Sequence, residues 1–361
     1  MSNLINHIEA DSIIIAQDDQ ILVTGAAGFI GRRVVDHLLS KGFRNIRCLV
    51  RPSSNTAELL RIIESYHAEA AVEILAGNLL SRELCNTVAK DVAVIFHLAA
   101  GRGEKLYADA FMNSVVTTRN LLEACRANRS LKRLVNVSSF SVYNNHRKPT
   151  GTLLDETCPL EAQPELRGDA YTFAKVKQEE IVAEYSQKYS IPYVMVRPGV
   201  VYGPGNHNIH GRVGLGTFGL FLHLGGFNTI PLTFVDNCAE AIMLAGLRPG
   251  VDGEAFNIVD DDLPSSRRFL RLYKKNVRSF HSLYLPHLAS YLACLLWEKY
   301  SHWSQGQLPP VYNRRVWQTY WKKTRYTNAK AKERLGWKPR LSTSKALSVH
   351  FESCRKNQNH D

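Results

Sequence analysis

The chain has 361 residues, 45% hydrophobic and 22% charged, which is enough to bury a large core and lies in the usual range for globular proteins. Its 45 basic and 33 acidic residues leave a formal charge of +12, which attracts phosphate groups, anionic lipid or nucleic acid; no motif for reading bases accompanies it, so nucleic acid is not an expected partner. Seven scattered cysteines, never in C-x-x-C spacing, argue against a disulfide framework or a zinc site and fit a reducing compartment, with the cytoplasm as the expected location.

Residues 1–20 read as an N-terminal extension; they carry acidic side chains and no long apolar core, unlike a signal peptide. From Ile21 short apolar runs alternate with helical patterns: ILVTG, RRVVDHLLSKG and IRCLV, then VEIL, VAVIFHLAA, RLVNVSS and YVMVRPG. That rhythm signals βαβ units, so residues 21–202 are expected to form a doubly wound α/β core with a parallel sheet. In the Gly-rich, apolar residues 203–235 strand periodicity is lost, as in a loop that covers a substrate. A helix over Asn237 to Leu247 and a strand over Glu254 to Val259 bring residues 236–260 back to the core. Residues 261–345 look mainly helical, basic and aromatic; with 203–235 they form an expected smaller substrate-binding region, and 346–361 read as a polar tail.

The longest apolar stretches, Val213 to Phe227 and Leu283 to Trp297, are 15 residues each, short of the roughly 20 needed to cross a bilayer. The second reads as a buried helix, with an interfacial membrane helix as the alternative. Much of the positive charge falls late, at Arg267, Arg268, Arg271, Lys274, Lys275 and Arg278, then Arg314, Arg315, Lys322, Lys323 and Arg325. A solvated basic surface accounts for it, and peripheral contact with an anionic membrane or binding of a substrate phosphate are the alternatives.

Thr24-Gly25-Ala26-Ala27-Gly28-Phe29-Ile30-Gly31 follows a strand and opens a helix, the setting a dinucleotide fingerprint needs. Gly25 allows the tight turn, Gly28 lets the backbone approach a pyrophosphate, and Gly31 permits close packing of helix on strand. The helix N-terminus offers N–H groups and a positive dipole end to the anion. At the end of the second strand an acidic residue would bond a ribose 2′-hydroxyl, whereas an Arg favours a 2′-phosphate. Arg51 stands there, with Arg32 and Arg33 as further candidates, so NADP(H) is expected over NAD(H).

Tyr171 and Lys175 are four residues apart on an expected helix and share one face. A phenol with a pKa near 10 is a poor base at neutral pH, and an adjacent ammonium stabilises its phenolate. Such a tyrosine takes a carbinol proton as hydride leaves, or supplies it in reduction. His207 and His210 lack a nearby carboxylate or Cys ligand, and no metal is expected.

The G-x-x-G-x-x-G spacing resembles that of the short-chain dehydrogenase/reductase superfamily, and TGAAGFIG is similar to its extended, epimerase/dehydratase branch. Further matches follow in order: His97-Leu98-Ala99-Ala100, Asn113 to Leu122, Ser138-Ser139 to Tyr143, Tyr171 to Lys175, Arg197-Pro198-Gly199 and Glu333 to Pro339. The resemblance covers residues 21 to about 345 and implies a Rossmann fold. It implies that Ser139, in an S-x-x-V-Y pattern, bonds the reacting oxygen and that Asn113 supports Lys175. It places Ala27, Phe29, Ile30, Asn78, Leu79, His97, Leu98, Ala99 and Ala100 against the cofactor, Asn78 where an adenine-binding Asp is usual. Pro198, Val200 and Val201 would line the nicotinamide, with Lys175 on its ribose. Family members often dimerise through the helices that carry Asn113 and Tyr171, so a homodimer is implied as well.

The shared core leaves the substrate open. The stretch SSFSVYNNHRKPT lacks the Thr-Asp-Glu triplet typical of the family's dehydratases. Ile230 stands where sugar-nucleotide epimerases commonly carry an Arg for the diphosphate. The segment from Gly226 to Asn237 and the proline-led apolar helix resemble 3β-hydroxysteroid dehydrogenases. The leading expectation is therefore an NAD(P)-dependent oxidoreductase acting on a secondary alcohol or ketone of a hydrophobic, sterol-type substrate. A nucleotide-sugar 4-epimerase with tightly bound NAD is the alternative, and a non-catalytic redox sensor a third reading that the intact Ser139, Tyr171 and Lys175 oppose.

Overall fold

Most of the Val- and Ile-rich runs become strands buried among helices, and they join one parallel sheet. Its members are β1 (Ile21–Thr24), β2 (Asn45–Val50), β3 (Ala71–Ala76), β4 (Val94–His97), β5 (Arg133–Val137), β6 (Tyr193–Pro198) and β7 (Ala255–Ile258). They lie in the order β7-β6-β5-β4-β1-β2-β3, parallel at every junction. The computed structural model describes residues 13–358 apart from 67–70, 102–103, 105, 146–147, 218, 305–306 and 308–311. Residues 1–12 of the expected extension lie outside the described residues, while Ile15 is buried and Ile14 N donates to Leu247 O.

Helices cover both faces. Gly31–Ser40 and Val235–Leu247 bury Val34, Val35, Leu38, Ile242 and Met243 against one side. Arg82–Ala89, Thr117–Cys125 and Ala170–Tyr189 bury Cys85, Val88, Leu121, Leu122, Ile181 and Val182 against the other. The strand order reverses between β1 and β4, where Thr24 pairs with His97, so a crevice opens at their C-terminal ends. That is where ligands bind in doubly wound sheets.

The region expected to lack strands is partly β-structure. Gly214–Thr217 pairs antiparallel with Leu220–His223, and Ser282–Tyr284 adds a third, parallel strand. Period-two patterning is hidden there because the hairpin needs glycine for close approach: a Cβ on Gly214 would lie 2.1 Å from Leu222 O. Residues 346–358 of the expected polar tail belong to the helix Thr343–Gln358; its Ala346, Leu347, Phe351 and Cys354 pack with Phe269, Leu270 and Tyr273. Trp337 in the closing motif is fully buried, and its Nε1 donates to Asn237 O at 3.0 Å, tying the C-terminal region to the core.

The apolar stretch from Leu283 does not form the expected buried helix. The helix His287–Trp303 buries Ser290, Cys294 and Ser301, while Leu288, Leu292 and Leu296 are exposed. No helix among the described residues is long and apolar enough to cross a membrane.

Candidate active site

The Gly-rich turn has the shape the spacing requires. Gly25 has a φ of +70°, where a side chain is strained, and a Cβ there would press on the Leu98–Ala99 backbone at 3.1–3.3 Å. A Cβ on Gly31 would lie 2.2 Å from Gly25 O, so only glycine lets the helix start this close to the turn. No side chain caps that helix at Ile30, and its first turn carries no acidic residue. Ala27, Phe29 and Ile30 are half-buried and Gly28 is exposed. An uncapped helix end behind an open glycine turn fits a dinucleotide pyrophosphate.

Leu98, Ala99 and Ala100 continue from β4 along the crevice, half-buried. His97 does not face it. The ring is fully buried, with Nδ1 2.8 Å from Thr24 Oγ1 and Nε2 2.8 Å from Thr118 Oγ1. Burial first, and the Lys175 charge second, push its pKa down to about 3, so it stays neutral. His97 thus braces β1, β4 and the helix beneath the site, with both ring nitrogens occupied. Asn78 spends its Oδ1 on Leu80 N at 3.0 Å, and Leu79 is buried.

Arg51 is exposed at the end of β2, and its Nη2 donates to Ala100 O at 3.2 Å, across the end of β1. Arg32 is bridged to Glu58 at 2.8 Å and Arg33 to Asp236 at 3.4 Å, which leaves Arg51 as the cation at this corner without a carboxylate partner among the described residues.

Asp169 starts the helix Ala170–Tyr189 by accepting from Tyr171 N at 3.1 Å and Thr172 Oγ1 at 2.5 Å. This cap sets Tyr171, half-buried, in the first turn and Lys175 one turn further on. Lys175 Nζ donates to Val137 O at 2.7 Å and Gln178 Oε1 at 2.9 Å. Burial brings its pKa down to about 8, against the attraction of Glu179. Val137 ends β5, and the chain turns at once into Ser138-Ser139. Ser139 Oγ accepts from Ser141 N at 3.2 Å, which leaves the hydroxyl proton for another oxygen. Ser138 and Ser141 are buried, whereas Ser139 is half-buried, so the structure favours Ser139 among the three.

The Asn113 amide nitrogen Nδ2 donates to Glu104 Oε1 at 3.1 Å, and Asn113 makes no direct side-chain bond to Lys175 among the bonds of the described residues. It lies in a π-helical turn, Phe111–Val116, a distortion frequent at functional sites. The lysine's neighbours are instead a buried polar chain absent from the sequence expectations. Gln178 Nε2 donates to Thr118 Oγ1 at 2.8 Å, Thr118 meets His97, His97 meets Thr24, and Thr24 Oγ1 accepts from Ala99 N at 3.2 Å. Gln178 lies three residues from Lys175 on one helix face and could have been inferred from spacing; the Thr–His–Thr link depends on strand pairing. Behind it Arg197 forms a two-pronged pair with Glu179 at 2.6 and 2.9 Å and donates to Tyr143 Oη at 3.0 Å. Burial works to lower the Arg197 pKa, and the Glu179 hydrogen bonds and charge more than reverse it.

Pro198 ends β6, and Val200 and Val201 line a cavity of about 110 Å³ with Ile230, Leu232 and Phe269. Asn208 lines both this cavity and a cleft of about 710 Å³ that also holds His207, Tyr273, Arg278, Phe280 and His281. His207 Nε2 sits 3.0 Å from Ser353 Oγ and His210 Nδ1 accepts from Arg212 N, and no group of three or more metal-binding side chains occurs among the described residues. All seven cysteines are buried and free.

A Rossmann sheet with a glycine turn at its switch point, and Tyr-x-x-x-Lys beside a serine at the next strand end, defines a nicotinamide-dependent enzyme of the extended short-chain dehydrogenase/reductase type. The model of the NAD dependent epimerase/dehydratase family matches residues 21–258, and the chain belongs to that family. It is 33% identical over 254 residues to UDP-glucose 4-epimerase of Mycolicibacterium smegmatis, covering 66% of this chain and 76% of that one. It is 26% identical over 249 residues to a trifunctional UDP-glucose 4,6-dehydratase/UDP-4-keto-6-deoxy-D-glucose 3,5-epimerase/UDP-4-keto-L-rhamnose-reductase of Arabidopsis thaliana, covering 66% of this chain. The match spans 28% to 36% of the length of three such plant enzymes. The fold is shared with UDP-glucuronic acid 4-epimerase from Bacillus cereus, solved in complex with UDP-glucuronic acid and NAD: TM-score 0.69, 22% identity, 94% of this chain and 99% of that one. These relatives are nucleotide-sugar enzymes, not the sterol-type members that residues 226–237 suggested.

Proposed function

We propose that this protein interconverts epimers of a nucleotide sugar, using a bound nicotinamide dinucleotide. The observation that carries this reading is that Lys175 Nζ, one turn along the helix from Tyr171, donates to Val137 O at the end of β5, two residues before Ser139. A nicotinamide dinucleotide held at the Gly25–Gly31 turn would supply reversible hydride transfer at the sugar carbon. Tyr171 would take the hydroxyl proton and give it back, Lys175 would stabilise the phenolate, and Ser139 would donate to the reacting oxygen. The nucleotide-sugar part draws on the family and its relatives. Ile230 cannot bind a diphosphate, so that contact would fall to other residues; the cleft of about 710 Å³ beside Asn208 is not lined by Ser139, Tyr171 or Lys175.

The test is incubation of purified protein with UDP-sugars, following the C4 configuration by NMR while absorbance at 340 nm is recorded. Epimerisation without net absorbance change, lost in Tyr171→Phe with cofactor still bound, is the expected result. A second reading, an NADP(H)-linked reductase that releases its cofactor, is favoured by Arg51 and by the apolar lining around Ile230. Stoichiometric oxidation of NADPH by a ketone substrate, with UDP-sugars unchanged, would replace the first reading with the second.

A further inference from the structure

The helix His287–Trp303 leaves most of its leucines on the outside. Facing the protein are Ser290, whose Oγ receives Trp317 Nε1 at 2.8 Å, and Cys294 and Ser301, all buried. Facing outward are Leu288 (71% exposed), Leu292, Leu296 (66%), Tyr300 and Trp303 (77%). The intervals of four, four, four and three residues set these side chains in one stripe, about 22 Å long at 1.5 Å per residue. Ala289 and Ala293 lie exposed beside it. The stripe continues past the helix start, where Phe227 is 66% exposed and Leu283 and Tyr284 are exposed on the adjoining strand. A Cβ on Gly226 would touch both His287 and Tyr284 at 3.1 Å, which fixes the Phe227 loop against the helix N-terminus. Scattered exposed leucines are ordinary, but a contiguous apolar stripe marks a contact surface.

The surrounding charge selects the partner. The helix has one carboxylate, Glu298, and it is neutralised by Arg314 at 2.9 Å. Lys299 is exposed on the helix, and the Arg267 guanidinium lies 5.1 Å over the Phe227 ring. Arg267 lies in the first turn of the helix Ser266–Asn276. A second copy meeting this face symmetrically would set these cations against their own equivalents, whereas an anionic lipid surface complements them and admits the leucines. Tyr300 and Trp303, with ring centroids 5.7 Å apart, have the amphipathic character suited to the headgroup level.

We propose that the stripe from Phe227 and Tyr284 through Leu288, Leu292 and Leu296 to Trp303 lies in the interface of an anionic phospholipid bilayer, parallel to its plane. This attachment is independent of which sugar or ketone the active site takes.

The full chain would be floated with vesicles of phosphatidylcholine alone and with vesicles of phosphatidylcholine and phosphatidylglycerol in equal parts. Binding to the anionic vesicles, weakened by salt and absent with phosphatidylcholine alone, is expected. Leu288→Ser/Leu292→Ser/Leu296→Ser should lower partitioning by about tenfold or more, and Arg267→Glu/Lys299→Glu should do the same while leaving the apolar stripe whole. Circular dichroism and cofactor titration establish that each variant is folded. Sedimentation velocity without lipid addresses self-association. A dimer that the serine variant splits, with no flotation of the parent protein, would assign the face to a second copy and overturn the proposal. Equal flotation of parent and both folded variants would overturn it as well.

Discussion

Replacing Lys175 by Met should remove activity and yet change the pH dependence of stability in a calculable way. The ammonium is buried, and its pKa falls from 10.5 to about 8 in the folded chain. The unfolded chain therefore binds more protons than the folded one between those values, and stability rises with pH across that window. Below about pH 8 the fold carries the full cost of holding a buried cation, about 3 kcal/mol at roughly 1.4 kcal/mol per tenfold. Lys175→Met removes that cost but leaves Val137 O and Gln178 Oε1 without their donor, a loss of about 1–3 kcal/mol for each buried group. The two effects offset each other near neutrality, so the variant should be about as stable as the parent at pH 7. By pH 10 the parent should have gained about 2.5 kcal/mol on the variant. Urea unfolding of both proteins at intervals from pH 7 to 10, without added cofactor, gives the difference directly. Subtraction cancels the other titrating groups, among them the buried cysteines and tyrosines. A difference that stays flat over this range, or falls, would refute the buried-ammonium account.

Gly31→Ala places a Cβ 2.2 Å from Gly25 O, so the helix must shift; a loss of about 1–3 kcal/mol and weaker cofactor binding should appear together in urea and titration experiments. If Arg51 holds a 2′-phosphate, Arg51→Asp should lower the affinity for NADP(H) relative to NAD(H) by about tenfold or more, read by nucleotide fluorescence titration; an unchanged ratio would remove Arg51 from cofactor choice. Glu179→Leu strands the Arg197 cation in the interior and should cost about 3–5 kcal/mol, while Glu179→Leu/Arg197→Met should recover most of it, as measured by urea midpoints. A double variant no better than the single one would show that the pair's geometry, rather than the stranded charge, carries the effect.

The sequence by itself determined the core and supplied the candidate reacting groups. The glycine turn, the strand rhythm and Tyr-x-x-x-Lys are local patterns, set by backbone sterics and by the pitch of one helix, so they survive reading in one dimension. The tertiary structure decided what depends on distant partners. It turned His97 away from the crevice because Thr24 and Thr118, on a neighbouring strand and a helix, claim both ring nitrogens. It gave Asn113 to Glu104 and gave Lys175 to Gln178. It also reversed the reading of the apolar stretch from Leu283. Leucines at intervals of four mark one face of a helix, but periodicity is blind to whether that face meets the core or the outside. Here Ser290 meets Trp317 on the inward side, and the leucines are left exposed.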